Sequence, residues 1–339
     1  MDLPNEMKAL VLLHDGEASD EAGQGLEDLS PFVELADVPL PEPQAGEALI
    51  RVARASVNPS DIAYIKGRYG RPRRKGVPAG LEGTGTVVAG DTPLVGRRVS
   101  FFGGRSGTWA EYAVAESALL VPLRDDVSDD DAAGLIVNPV TAMALFDLVR
   151  EAGAESFVAT AAGSQLGKFV IGLGAEAGIA CLAVVRRDAL SGPLTRLGAA
   201  EVLVEDDPGF GEALRAAMTE HRPAILLDAV AGQTSADIFF AMPTGATWVV
   251  YGRLSTRPPA LGDMAQFIFR DKRIEGFWLS RWFRDRPRET IARVLFDVQA
   301  RFADGRWRTD VGAIVPLGQA LAELPAAYGR KNAKVLLAP

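Results

Sequence analysis

The sequence predicts an α/β fold, a doubly wound parallel-sheet domain following a β-rich front domain. Three observations carry that expectation. Residues 157–188 read as strand, tight small-residue turn, helix and second strand; short, often alternating apolar runs punctuated by Gly and Pro fill the chain as far as Val114; and strand and helix patterns alternate from Ser128 to about Ser280.

In the front part, strands are expected at Met7 to Leu13, Phe32 to Val38, Ala48 to Ser56, Gly83 to Val88, Arg98 to Phe102 and Trp109 to Val114. The acidic, small-residue segment His14 to Ser30 reads as a solvated loop or a long hairpin tip rather than a site. Helices follow at Asp129 to Ile136 and Thr141 to Arg150. Phe157-Val158-Ala159-Thr160 is then a short apolar strand, 161–167 a turn, Lys168 to Ala177 a helix and Ile179 to Val185 the next strand. Beyond it, helical stretches at Glu205 to Glu220, Gln233 to Ala241 and Gln266 to Asp271 alternate with strands at Ile225 to Val230, Thr247 to Tyr251 and Arg273 to Leu279. An amphipathic helix near Glu289 to Asp304 and a strand at Ala333 to Leu337 close the chain, which has no internal repeat.

The unit at 157–188 has the skeleton of a dinucleotide site. Small residues in the turn let backbone N–H groups approach a pyrophosphate, and the following helix N-terminus adds partial positive charge there. The usual three glycines are represented by Ala162, Ser164 and Gly167. An acidic residue ending the second strand would bond a ribose 2′-hydroxyl; Arg186 and Arg187 stand there instead and suit a 2′-phosphate, which points to NADP(H) over NAD(H). A ligand-free βαβ unit and a solvated arginine edge remain the bland alternatives at this point.

Composition narrows the chemistry. A chain of 339 residues, 48% of them hydrophobic, suffices for two domains with cores of their own, and no apolar stretch is long enough for a bilayer. A net charge of −8 disfavours general affinity for nucleic acid. The acidic N-terminus lacks the pattern of a signal or transit peptide, so the expected compartment is cytoplasmic. One cysteine, Cys181, inside an apolar strand, and two histidines, His14 and His221, without a visible partner, leave no disulfide and no Cys/His zinc site. Nucleophilic catalysis is equally poorly supplied, so the chemistry is expected to come from a bound cofactor, with no metal.

Asn58-Pro59-Ser60-Asp61-Ile62, followed by Ile65, Gly67, Tyr69 and Gly70, resembles the signature of the zinc-free 2-enoyl thioester reductases of the medium-chain dehydrogenase/reductase superfamily. Asn138-Pro139 with Thr141-Ala142, Tyr251-Gly252 and the run Gly276-Phe277-Trp278-Leu279-Ser280-Arg281-Trp282 are similar to further motifs of that family, and the order of segments matches its layout. The resemblance implies a GroES-like catalytic domain at 1–126 completed by 285–339, and a Rossmann NADPH-binding domain at 127–284. It implies hydride transfer from NADPH to the β-carbon of an enoyl thioester or related enone. Tyr69 matches the family's catalytic tyrosine; a phenol, with a reference pKa near 10, is protonated at neutral pH and can donate to the developing enolate oxygen. Trp278 matches a second active-site residue, placed in a strand by the reading above. The implied cofactor set is Asn58, Thr141, Ser164, Gln165, Leu166, Gly167, Arg186, Arg187, Tyr251, Gly252 and Lys334, with Asn58 and Asp61 also holding the loop that presents Tyr69. A homodimer joined through the edge of the nucleotide-domain sheet is implied as well.

Two departures from the family pattern bear on the acceptor. Arg253 stands where the family commonly has glycine. The basic run Arg71, Arg73, Arg74 and Lys75 follows Tyr69; it reads first as a solvated face, and secondly as a receiver for phosphates of coenzyme A or an acyl carrier protein. Alternatives to the enoyl reductase are a zinc-independent NADPH:quinone oxidoreductase and a non-catalytic NADPH-binding protein.

Overall fold

Ser156–Ala159 is the third strand of a six-stranded, wholly parallel sheet. The order is Glu201–Val204, Ala180–Val185, Ser156–Ala159, Ile225–Asp228, Thr247–Val250, Arg273–Gly276. The computed structural model describes residues 3–18, 25–330 and 333–339. It divides into two compact units, residues 1–138 with 292–339, and residues 139–291.

The parallel sheet lies in the second unit. Its strands Ser156–Ala159 and Ile225–Asp228 are buried at every residue, the pattern of a sheet covered on both faces. Chain order reverses between those two strands, making a topological switch point at their C-terminal ends. Helix Gln165–Ala177 buries Leu166, Phe169, Val170, Ile171 and Leu173 and stops at Gly178, whose φ of 68° is the left-handed cap that a glycine supplies without strain. On the other side Leu226, Phe239 and Trp248 share a core. The short helix Ser191–Leu197 and the strand Glu201–Val204, neither expected from the pattern, complete the edge beside Ala180–Val185.

The first unit is β-rich. Its main sheet runs Val311–Pro316, Lys334–Ala338, Glu47–Val57, Glu82–Gly90, Arg98–Phe102, Val121–Pro122, with Tyr112–Glu116 also paired to Glu47–Val57. Glu6–Leu12 and Val33–Pro39 form a separate antiparallel pair. The C-terminal strand sets the site: its register places Val335 opposite Val57, so Lys334 arrives beside Asn58. The core gathers Ile50, Ile62, Ile65, Phe101 and Trp109.

Differences from the sequence pattern are informative. In the segment 14–30, of which 19–24 lie outside the described residues, Leu26 and Leu29 are buried in the first unit's core, so this stretch is not merely a solvated loop. Two apolar residues among many acidic and small ones were too sparse to register as a period. The helix expected from Thr141 begins earlier, at Val137, because Pro139 falls in the first turn, where its missing N–H costs nothing. Among the described residues no helix is long and apolar enough to cross a membrane.

Candidate active site

The first unit builds a buried polar network around the Asn58 motif. Strand Glu47–Val57 ends at Asn58, which precedes helix Pro59–Ile65, with proline at its first position, where a fixed φ suits helix entry. Asp61 accepts from the backbone N–H of Asn58 and of Leu81, both at 2.7 Å. The Asn58 amide donates to Glu82 Oε1 at 2.7 Å, and its Oδ1 accepts from the Lys334 ammonium. Glu82 Oε2 accepts from the N–H groups of Val137 (2.8 Å) and Ile136 (3.3 Å) at the start of helix Val137–Glu151. Asn58, Asp61, Glu82 and Lys334 are all nearly inaccessible to solvent.

Electrostatics follow from that burial. Loss of solvent pushes the Asp61 carboxyl up to about 7, the Glu82 charge adding to the rise and the N–H donors and Lys334 opposing it. Burial lowers the Lys334 ammonium, against the pull of Glu82 and Asp61. Lys334, expected near cofactor phosphates, therefore has its ammonium engaged on Asn58 inside this network. Glu82 was missed by the sequence reading; its signal was an acidic residue inside the otherwise apolar, glycine-rich stretch Ala79 to Val88.

The network anchors a loop. Helix Pro59–Ile65 gives way at Lys66 to Gly67, whose φ of +73° reverses the chain, and Arg68 and Tyr69 follow. A side chain at Gly67 would be strained and would collide with the Arg73 guanidinium carbon at 2.6 Å. Tyr69 is half-buried and packs edge-on to Tyr64, ring centres 6.4 Å apart. Within the basic run, Arg73 departs from the expected solvated face: it is buried, donating to the carbonyls of Ile65 (3.0 Å) and Gly16 (3.2 Å). Arg71 is half-buried, whereas Arg74 and Lys75 are exposed.

In the second unit the candidate cofactor residues gather at the C-terminal ends of the parallel strands. Ser164 caps helix Gln165–Ala177, its Oγ accepting from Gly167 N at 3.1 Å. Gly167 has no room for a side chain, since a Cβ would lie 2.5 Å from the Ala162 carbonyl; helix and turn meet there by backbone contact. Gln165 and Leu166 occupy the first helical turn. Arg186 and Arg187 leave the end of strand Ala180–Val185 exposed, with no acidic residue between them and the strand. Tyr251 and Gly252 follow strand Thr247–Val250, and burial pushes the Tyr251 phenol upward. A side chain at Gly252 would meet the Ala229 carbonyl at 2.7 Å.

Asp228, also missed, organises these strand ends. It accepts from Thr160 Oγ1 (2.5 Å), Ser235 Oγ (2.9 Å), Trp248 Nε1 (2.8 Å) and the N–H groups of Val230 and Ala231 (both 2.9 Å). A wholly buried carboxylate with five donors is a satisfied one. It ties the turn strand to the loop that leads to Gly232.

Thr141 is buried in helix Val137–Glu151. Trp278 is not in a strand: Arg273–Gly276 ends two residues earlier, and Trp278 is the extended residue before helix Leu279–Asp285. The aromatic run read as β-forming, but Leu279 and Trp282 share a helical spacing and are the residues that helix buries. Trp278 lines a cavity of about 220 Å³ with Ala144, Leu148, Phe277 and Trp282. Arg253 is exposed. Cys181 is buried in its strand. The histidines do have neighbours: His14 Nε2 lies 2.8 Å from the Pro31 carbonyl, and His221 Nε2 3.7 Å from Glu201. Glu201, Glu220 and His221 form a possible metal-ligand trio, at the N-terminal ends of the strands, away from the turn.

Residues 44–125 match the alcohol dehydrogenase GroES-like domain. The chain is 28% identical over 332 residues to a mitochondrial enoyl-[acyl-carrier-protein] reductase of Bos taurus, covering 95% of this chain and 86% of that one. It is 31% identical to the reductase of the same name from Arabidopsis thaliana, covering 73% and 68%. A solved structure from Mesorhizobium loti, given as a candidate NADPH:quinone reductase, is 48% identical over the full length of both chains, with a TM-score of 0.96.

Proposed function

The chain belongs to the medium-chain dehydrogenase/reductase family, and on that premise we propose that it uses NADPH to reduce the carbon–carbon double bond of an α,β-unsaturated thioester, an enoyl-CoA or enoyl-acyl carrier protein, or of a related enone. The oxidoreductase class is common to its relatives. The observation that carries the finer reading is the half-buried phenol of Tyr69 on a loop anchored by Asn58, Asp61 and Lys334.

When bound, the reduced nicotinamide supplies the hydride. The residues at the strand ends fit such a cofactor: the N–H groups of Gln165 and Leu166 at a helix N-terminus suit a pyrophosphate, Gly167 without a side chain lets the turn approach it, Ser164 shapes the turn by capping the Gly167 N–H, and Arg186, with Arg187 beside it, pairs with a 2′-phosphate. We assign Thr141, Tyr251 and Gly252 to the nicotinamide side. Tyr69 donates a hydrogen bond to the substrate carbonyl oxygen, where negative charge collects as the β-carbon is reduced, and the family resemblance assigns Trp278 a second active-site role. Asn58 and Lys334 hold the loop that aims Tyr69.

A screen of cofactor oxidation across trans-2-enoyl-CoAs of several lengths, simple enones and quinones tests this reading. The thioesters are expected to turn over best, and with NADPH in preference to NADH; Arg186→Ala is expected to raise KM for NADPH by about tenfold or more and leave NADH little changed. Turnover of quinones alone would favour the quinone reductase reading, which the Mesorhizobium loti relative supports. Tight NADPH binding without turnover of any acceptor would leave the non-catalytic one.

We also propose a homodimer formed through strand Arg273–Gly276. This outermost strand is exposed along its whole length, and helix Ala265–Phe269 beside it leaves Ile268 74% and Phe269 80% exposed. An unpaired strand edge next to large apolar side chains is a surface that favours a partner. Sedimentation is expected to give a dimer for the natural chain and a monomer for Ile268→Glu/Phe269→Glu; a natural monomer would refute the proposal.

A further inference from the structure

We propose that a cavity beside the Tyr69 loop holds the phosphate of the substrate's carrier. This rests on the thioester reading above. The cavity, about 170 Å³, lies within the first unit between the basic run and the glycine-rich loop 103–107, and is lined by Tyr64, Arg71, Arg74, Gly104, Arg105 and Gly107 among others.

Its charge is unbalanced. Arg105 is neutralised by Glu47 at 3.0 Å, and Arg73, the remaining arginine of the run, is turned inward onto carbonyls. Arg71 and Arg74, by contrast, make no side-chain hydrogen bond or ion pair with any described residue. Arg71 is the more unusual of the two. Its guanidinium stacks on the Tyr64 ring at 4.8 Å, which fixes the planar fork, and its Nε is buried without an acceptor. An unsatisfied cationic donor in a protein of net charge −8 carries a desolvation cost that an oxyanion would relieve.

The opposite wall suits an anion as well. The backbone N–H groups of Gly104, Arg105, Ser106 and Gly107 donate to no described protein acceptor. The loop is held close to the neighbouring chain at Gly107, where a Cβ would lie 2.0 Å from the Ala79 carbonyl. N–H groups without a described protein acceptor, on a tight loop that lines the same cavity as two uncompensated guanidinium groups, suit an oxyanion, and the planar fork of arginine favours phosphate.

Tyr64 links the cavity to the reaction. One of its contacts is the edge-on ring of Tyr69, centres 6.4 Å apart, and another is Arg71 on its face.

The test compares a trans-2-enoyl-CoA with the N-acetylcysteamine thioester of the same acyl group, which lacks phosphate, in the natural protein and in Arg71→Ala/Arg74→Ala. The variant is expected to raise KM for the CoA ester by about tenfold or more and to move KM for the truncated thioester less than about twofold. Equal changes on both substrates, or none, would overturn the proposal. An enoyl-acyl carrier protein, which shares only the pantetheine phosphate, separates the sources: a matching rise assigns the cavity to that phosphate, and no rise assigns it to the nucleotide phosphates of coenzyme A. Calorimetric binding of coenzyme A against pantetheine gives an arm without turnover. If neither thioester is reduced, the thioester reading fails, but weaker coenzyme A binding by the variant, with pantetheine unchanged, still upholds the phosphate site; unchanged coenzyme A binding rejects it. Thermal melts of the variant confirm that the fold is retained.

Discussion

Tyr69→Phe is expected to lower kcat for an enoyl thioester by about 10²- to 10³-fold while leaving the KM for NADPH within about twofold. The substitution removes one oxygen and keeps the ring, so the edge-on contact with Tyr64 and the loop set by Gly67 persist. What disappears is a hydrogen bond that matters most as charge moves to the carbonyl oxygen. A donor that strengthens with developing charge raises kcat, whereas uniform binding would alter KM. The same variant assayed on quinones separates the two enzymatic readings. A Tyr69→Phe protein that retains full activity on enoyl thioesters would remove Tyr69 from the mechanism. One that loses thioester activity yet keeps quinone activity would confine its role to the first chemistry.

Legibility followed the range of the interaction. The turn at 161–167 and the strand ends were readable because a dinucleotide-type turn is local: small residues, a cap at Ser164 and a helix dictate one another within a few positions. The Asn58 motif was readable by resemblance, but its anchoring was not. Glu82 lies 24 residues from Asn58 and Lys334 lies 276 away, and only the antiparallel pairing of Glu47–Val57 with Glu82–Gly90 on one side and with the C-terminal strand on the other joins them. Asp228 is similar, since its donors Thr160, just past strand Ser156–Ala159, and Trp248, in strand Thr247–Val250, come from the two flanking strand segments of the sheet. Trp278 failed for the opposite reason: aromatic residues favour strands on average, yet the burial of Leu279 and Trp282 on one helical face decided the segment. The basic run misled because charge counts take no account of where a guanidinium ends, and Arg73 ends inside, on the Ile65 carbonyl.

Lys334→Met is expected to destabilise the protein by about 3–5 kcal/mol, lowering the first thermal transition on the order of 10 °C. Methionine fills a comparable volume, so the loss is electrostatic: Asp61 and Glu82 stay buried while the cation that offsets them is gone. The effect has a pH signature. Burial holds the Asp61 carboxyl up at about 7 in the fold, against the ordinary value of 3.8 for a solvated carboxyl. The folded state therefore holds a proton that the unfolded chain has released between those values. Its contribution is complete below about pH 4, falls as pH rises, and is lost above about pH 7. In Lys334→Met the opposing ammonium is absent, so the Asp61 carboxyl rises further; the deficit relative to the natural protein is level at acid pH, where both folded forms hold the proton, and widens as pH rises through about 7. Asp61→Asn in the Lys334→Met background removes the titrating group; the slope should flatten even though one backbone donor, of Asn58 or Leu81, loses its acceptor. Denaturant midpoints measured from pH 4.5 to 8, as roughly the window set by these two values, check both. A deficit for Lys334→Met that stays constant across the window would show that Asp61 is not the group that responds to Lys334.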